Sequence, residues 1–492
     1  MDYRSEILRL LGEIGEGEIT SSAYDTAWVA RLAPRGESVG LRALEWLRQH
    51  QLDDGTWGAW APRYYNDRLV CTLAAAIALV VNNDPQDAGR IQRAKDALVS
   101  VIGDLRHEMT LETVGFELIA PTLFLEAERL GIVQKKDYAE MPKLHAMREK
   151  KLSRLPGGVI NRNVTFAHSA EMAGTDEIDL LDVPHLQLPN GSIGNSPAAT
   201  AYFLLYIRPD DQRALDYLNR VMQPDGSVPN VIPFDLFERL WVLWHLALIT
   251  DLDPEIIEAC QPHFDFIQKC WTPGQGLGIS VDYVKDGDDS AVAYDVLVRF
   301  GGYPDVEAVL SYEEREYFRC FSLEANPSIS TNIHILNALR TAGLPPHYPS
   351  VQKIKTFLHG AAFWFDKWHV SPYYTTGHGI IAAAGYLDSL VEDAVSWFID
   401  TQNEDGSWGY FMPTAEETAY ALQALVCWQR AGHPVPPDTL KRGADWLESR
   451  IDPPYPPLYI GKCLYTPVLV VRATILSALA LVAETLTDKT TC

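Results

Sequence analysis

The sequence predicts an all-α protein built as two α/α-barrels, on three observations. Apolar residues recur at helical spacing, strand-like alternation is scarce, and one segment appears twice, near each end of the chain. The spacing is plain in Phe237, Leu240, Trp241, Trp244 and Leu248, and again in Ile475, Leu479, Val482 and Leu486. Gaps of three and four residues place such side chains in one stripe along a helix. Clusters such as Pro453-Pro454-Tyr455-Pro456-Pro457 punctuate the helices. The repeat is ALEWLRQHQLDDGTWG, Ala43 to Gly58, against AVSWFIDTQNEDGSWG, Ala394 to Gly409, aligned without a gap. Weaker copies start at Gln187 and Gln223. Each copy reads as a helix ending in a Gly turn, followed by a Trp that stacks on the Gln amide and staples one helix to the next. Units of this kind stack into a continuous helical core.

Composition narrows the function classes. Of 492 residues, 47% are hydrophobic, enough for a large core. Against 65 acidic residues stand 41 basic ones, a net charge of −24, which argues against nucleic acid as a partner. The seven cysteines form no Cys-x-x-Cys pair, as expected of buried thiols in a reduced, cytoplasmic setting. Met1 to Glu18 lacks the apolar core of a signal peptide, and the apolar runs at Leu73–Val81 and Ile475–Val482 are too short to span a bilayer. No stable membrane insertion is expected.

The chemistry concentrates in VKDGDDSAVAYDVL, Val284 to Leu297. Asp286, Asp288 and Asp289 crowd into four positions and lead into an apolar helix. Acids also decorate ordinary helix N-termini, so the triplet alone is ambiguous. Read functionally, it suits Brønsted acid catalysis. A carboxyl that donates a proton at neutral pH must first retain it, and a like charge ~4 Å away at an effective dielectric of ~20 raises its pKa by roughly three units. No P-loop, GxGxxG or zinc-ligand spacing is present, nor a DDxxD or NSE/DTE motif.

These motifs resemble those of class II diterpene cyclases. Asp286-Gly287-Asp288-Asp289 is similar to their Asp-x-Asp-Asp signature, the repeats to their QW motifs, and Ser22-Ala23-Tyr24-Asp25-Thr26-Ala27-Trp28-Val29-Ala30 to a segment near their start. Further similar blocks are Val228-Pro229-Asn230-Val231, Asp235-Leu236-Phe237-Glu238, and Asp366-Lys367-Trp368-His369 followed by Ser371-Pro372-Tyr373-Tyr374. The resemblance implies two barrels, with residues 33–237 as one (γ-like) and 238–492 as the other (β-like), residues 1–32 packing with the C-terminal barrel, and an active site between them. It implies Asp288 as general acid, Asp286 and Asp289 as its tuners, and Asn332 as the side chain that hydrogen-bonds it. It implies Lys367 and Arg208 at the diphosphate, Trp368, Tyr373 and Tyr374 along the prenyl chain, and Glu171 as a Mg²⁺ ligand. The substrate implied is geranylgeranyl diphosphate, with the diphosphate kept for a downstream class I terpene synthase or phosphatase. Copalyl-forming relatives are expected to carry a His in the Val-Pro-x block as part of the terminal base. Asn230 stands there instead, and a neutral amide is a poor base, so a rearranged kolavenyl or halimadienyl diphosphate is expected. Alternatives are copalyl diphosphate, drimenyl diphosphate from farnesyl diphosphate, squalene cyclisation, or a non-catalytic prenyl-binding scaffold.

Overall fold

The computed structural model describes residues 3–105, 113–138, 142–324 and 326–488. Among them, helices are joined by turns, and the one sheet is a hairpin pairing Tyr459–Ile460 with Leu464–Tyr465. Many helices start where a hydroxyl or carboxyl side chain caps a free backbone N–H. Ser22 accepts from the Asp25 N–H, Ser196 from Ala199, Ser328 from Thr331 and Thr414 from Glu417.

The helices close into two rings. In the C-terminal barrel the inner helices Asp235–Leu246, Gly287–Arg299, Ile329–Thr341, Pro372–Ala383, Ala415–Arg430 and Val468–Asp488 pack in that order, and the last returns to the first. Outer helices such as Pro254–Cys270 and Pro437–Leu447 lie against them. Tyr3–Glu13 completes this outer layer, packing on Pro254–Cys270 and Val468–Asp488 through buried Ile7, Leu10 and Leu11. In the other barrel the inner wall comprises Ala23–Ala30, Tyr65–Asn82, Phe116–Arg129, the 3₁₀ stretch Thr165–Ala173 and Pro197–Tyr206, again closed on itself. The boundary expected at residue 32 moves. Ile19 belongs to the C-terminal core, whereas Ala23, Tyr24 and Trp28 already belong to the other.

The apolar C-terminal helix is longer than the sequence run suggested. Val468–Leu486 has the length and composition to cross a membrane, but 72% of its most apolar window is buried, because it is an inner helix of a ring.

The repeated turns are alike at both ends, and their wiring differs from the expected stacking. Trp57 Nε1 donates to the Leu47 carbonyl at 2.9 Å, and Trp408 Nε1 to Phe398 at 2.7 Å. Gln51 Nε2 donates to the carbonyls of Gly55 and, across to the helix Ala88–Leu105, of Arg90, at 2.9 and 3.0 Å. Gln402 does the same to Gly406 and Thr439. Gly55 and Gly406 have φ of 85° and 96°, a conformation that penalises a side chain.

Candidate active site

One cavity lies where the two barrels meet. Its walls come mainly from residues just before, or at the start of, C-terminal inner helices: Phe234, Tyr283, Asp286, Glu324, Lys367, Trp368 and the Tyr459–Tyr465 hairpin. The N-terminal barrel contributes Leu118, Phe166, His168 and Ser169.

Asp286 is the N-cap of Gly287–Arg299. Its Oδ1 accepts the Asp289 N–H at 2.8 Å, while its Oδ2 is buried without a partner. Burial, and then the Asp288 charge, push its carboxyl up to about 8. Asp289 is raised well above the usual carboxylate range by burial and by Asp286 and Asp288. Protons therefore stay in this cluster at neutral pH. Asp286 and Asp289 are only 1% and 2% exposed, whereas the Asp288 side chain keeps 14% of its surface. All three line the cavity, and Asp288 is the most open of them.

Its partner is not Asn332. The Asn332 amide donates to the Phe318 and Ser328 carbonyls at 2.9 and 2.8 Å and accepts the Phe318 N–H at 2.8 Å, so it fastens a loop. His334 takes the expected place, with Nδ1 2.7 Å from Asp288 Oδ1. Two helical residues apart is about 200° of rotation, so Asn332 and His334 cannot both face the acid. The Nε2 of His334 in turn lies 2.9 Å from Nδ1 of His378.

The remaining expectations divide. Trp368 and Tyr374 line the cavity. Lys367 does so too, its ammonium bonded to Glu324 and, at 2.7 Å, to the Asn326 carbonyl. Tyr374 stacks on buried His369 at 4.6 Å. Tyr373 faces away and packs on Trp397 and Phe398. Arg208 is exposed in a loop beside Phe203 and does not reach the cavity. Glu171 is 1% exposed. Its Oε1 accepts from the Lys462 ammonium at 2.6 Å and the Tyr24 hydroxyl at 3.0 Å, its Oε2 is buried without a partner, and the residue lies outside the cavity wall. It therefore does not fit a Mg²⁺ ligand. The buried trio Asp67, Cys71 and Cys463 does not fit either, because thiols are soft ligands for that hard cation and the Asp67 carboxylate accepts the Ala59 and Leu464 N–H groups, each at 2.8 Å.

Asn230 lines the cavity, its Nδ2 3.4 Å from Cys463 Sγ. The sequence reading missed what stands beside it. His168, from the Thr165–Ala173 stretch, shares the wall and interacts with Asn230. Its Nδ1 lies 3.0 Å from the Gly194 carbonyl, and burial and the Lys462 charge hold its pKa to about 3. It is a neutral imidazole. Also missed were Phe237, Tyr459 and Tyr465 in the cavity wall and Trp241 packed on His334 at 4.8 Å. The helical stripe beginning at Phe237 was the available signal for two of them.

Such a pocket has an apolar, aromatic wall for a hydrocarbon chain and for the cations it can form, a cluster of three carboxyls on one side, two of them raised by burial, and an ammonium on another. No protein-family profile matches the chain. It is 44% identical over 488 residues to the Type B diterpene cyclase of Mycobacterium tuberculosis, covering 96% of this chain and 97% of that one. It is 32% identical to an ent-copalyl diphosphate synthase of a Streptomyces species, covering 94% and 92%. Among solved structures, the ent-copalyl diphosphate synthase of Streptomyces platensis superposes with a TM-score of 0.80 at 30% identity, over 98% of this chain and 100% of that one. With the aspartate cluster in an aromatic cavity between two helical barrels, these similarities place the chain in the family of class II diterpene cyclases.

Proposed function

We propose that the substrate is geranylgeranyl diphosphate and that Asp288 protonates its terminal alkene. The prenyl chain lies along Trp368, Tyr374, Tyr459 and Tyr465, and the diphosphate stays attached near Lys367. The single observation that carries this is Asp288 itself, held by His334 at 2.7 Å and open to the cavity beside two carboxyls raised by burial. Protonation converts the alkene to a tertiary cation, successive alkenes close two rings, and the final cation loses a proton to a base or rearranges first.

The skeleton depends on that base. Asn230 is not alone, since His168, a neutral imidazole, stands beside it. We infer that Asn230, a poor base, and not His168 faces the final cation, so that the cation outlives the first deprotonation opportunity and a rearranged kolavenyl or halimadienyl diphosphate forms. A copalyl skeleton is the second reading, favoured by the presence of His168 in the wall. Incubation with geranylgeranyl and farnesyl diphosphate, phosphatase treatment and NMR of the alcohols decides. Copalol as the main product overturns the rearrangement, and turnover of farnesyl diphosphate alone overturns the chain length. His168→Phe separates the readings further. It diverts a copalyl-forming enzyme to rearranged products and leaves a rearranging enzyme's product unchanged.

Mg²⁺ enters this reading as a counter-ion brought by the diphosphate, because Lys367 is already paired with Glu324 and the protein is strongly acidic. Chelation should therefore depress turnover severalfold without unfolding the protein, and full activity in excess chelator overturns the requirement. The product keeps its diphosphate, so the next reaction must ionise or hydrolyse it, as a class I synthase or a phosphatase does.

A further inference from the structure

His378 takes no part in the chemistry described so far, yet it ends a continuous hydrogen-bonded line to the acid. The line runs from Asp288 Oδ1 to His334 Nδ1 at 2.7 Å, and from His334 Nε2 to His378 Nδ1 at 2.9 Å. Both imidazoles are buried. Three C-terminal inner helices supply the three members: Gly287–Arg299, Ile329–Thr341 and Pro372–Ala383. Around His378 stand Trp241, Trp244, Tyr374 and Tyr420, with ring centroids 4.5 to 5.5 Å away. His245 is 6.0 Å away.

The far nitrogen of His378 decides where its proton sits. Nε2 is buried without a hydrogen-bond partner. A buried N–H with no acceptor is more costly than the same nitrogen left as a lone pair beside apolar rings. Burial and the neighbouring His334, His245 and His369 hold His378 well below the ordinary histidine range, so it carries one proton. That proton belongs on Nδ1, pointed at His334 Nε2. His334 must then accept at Nε2, which puts its own proton on Nδ1, pointed at Asp288 Oδ1.

We propose that His378 is a positioning residue for the proton-donating carboxyl: its Nδ1–H sets the tautomer of His334, which pins Asp288 Oδ1 as an acceptor and leaves the transferable proton on Oδ2, towards the cavity. When Asp288 gives up that proton, the His334 N–H is already aimed at the carboxylate formed. No reorientation is needed at the moment of transfer. The opposite His334 tautomer would present a lone pair to Asp288 Oδ1, draw the carboxyl proton onto that oxygen and turn it away from the alkene.

This inference rests on Asp288 as donor, and two measurements separate them. Wild-type turnover by Asp288→Asn would overturn the donor assignment. The tautomer is read independently, by imidazole ¹⁵N NMR of wild-type protein labelled at histidine, with His334 identified by the signal lost in His334→Asn. The expected result is protonated Nδ1 and unprotonated Nε2 on His334. An Nε2–H tautomer or an imidazolium overturns the proposal. In kinetics, His378→Phe, which cannot donate, should lose roughly tenfold or more in kcat with KM unchanged, whereas His378→Asn, whose amide can donate to His334, should stay within a fewfold of wild type. Equal losses in both variants, or none in His378→Phe, overturn it. If neither variant folds, the wild-type tautomer decides.

Discussion

At Asp286 one carboxyl does two things. It caps the helix that carries Asp288, and, buried, it keeps a proton up to about 8. The folded protein therefore binds this proton more tightly than the unfolded chain does. Its contribution to stability is complete below the unfolded value of 3.8 and is lost as pH rises towards about 8. Asp286→Asn keeps a capping oxygen but cannot ionise. Its melting temperature relative to wild type should therefore climb between pH 4 and 8, read by thermal unfolding at several pH values. A difference that is flat with pH refutes the assignment. At Asp288, replacement by Asn removes the transferable proton and leaves a side chain of the same size. Turnover should fall by roughly 10²- to 10⁴-fold with unchanged circular dichroism. Wild-type rates would rule out Asp288 as the acid.

At the scale of elements, the repeated turn is the fold's joint. Trp408 is fully buried, donates back to the helix it follows, and sits beside a Gly406 that presses on the Arg442 carbonyl. A Cβ at Gly406 would lie 2.5 Å from that oxygen, so no other residue fits there without moving backbone. Trp408→Ala should cost about 3–5 kcal/mol, and Trp408→Phe distinctly less, since it retains most of the ring packing. Denaturant titration of the two variants measures the difference. If both cost the same, the hydrogen bond and not the packing supports the joint.

The whole molecule is two closed rings laced together by buried polar contacts. Lys462 sits in the C-terminal hairpin connection, and Glu171 lies in the wall of the other barrel. They meet at 2.6 Å with essentially no exposure, and Ser196 Oγ accepts from Lys462 at 2.7 Å. Lys462→Met strands the Glu171 carboxylate and should destabilise by about 3–5 kcal/mol. Adding Glu171→Gln should restore most of that loss, because a buried pair removed from both sides leaves no uncompensated charge. Failure of the double variant to recover would mean that Lys462 acts chiefly through Ser196. Within the C-terminal barrel, Arg472, 4% exposed, fastens the N-terminal helix by donating to Glu6 at 2.7 Å and to Glu13 at 3.2 Å.

The sequence by itself determined the helical class, the two repeated joints and the acid cluster, because each is written in local spacing. Stripes at three and four residues make helices, Gly and Trp at fixed distance make the turn, and adjacent aspartates share a pocket wherever the chain goes. Only the tertiary structure decided which side chains meet that cluster. His334 and His378 are 46 and 90 positions from Asp288, and His168, 62 positions before Asn230, stands beside it in the same cavity wall. Family resemblance points to Asn332 as the acid's neighbour, but helix rotation turns it to the Phe318 loop and brings His334 to the acid instead. Family resemblance points to Glu171 as a Mg²⁺ ligand, and nothing local to it in the chain reveals Lys462, which lies 291 residues away. A charge's role depends on its nearest opposite charge, and long-range closure of the rings sets that neighbour.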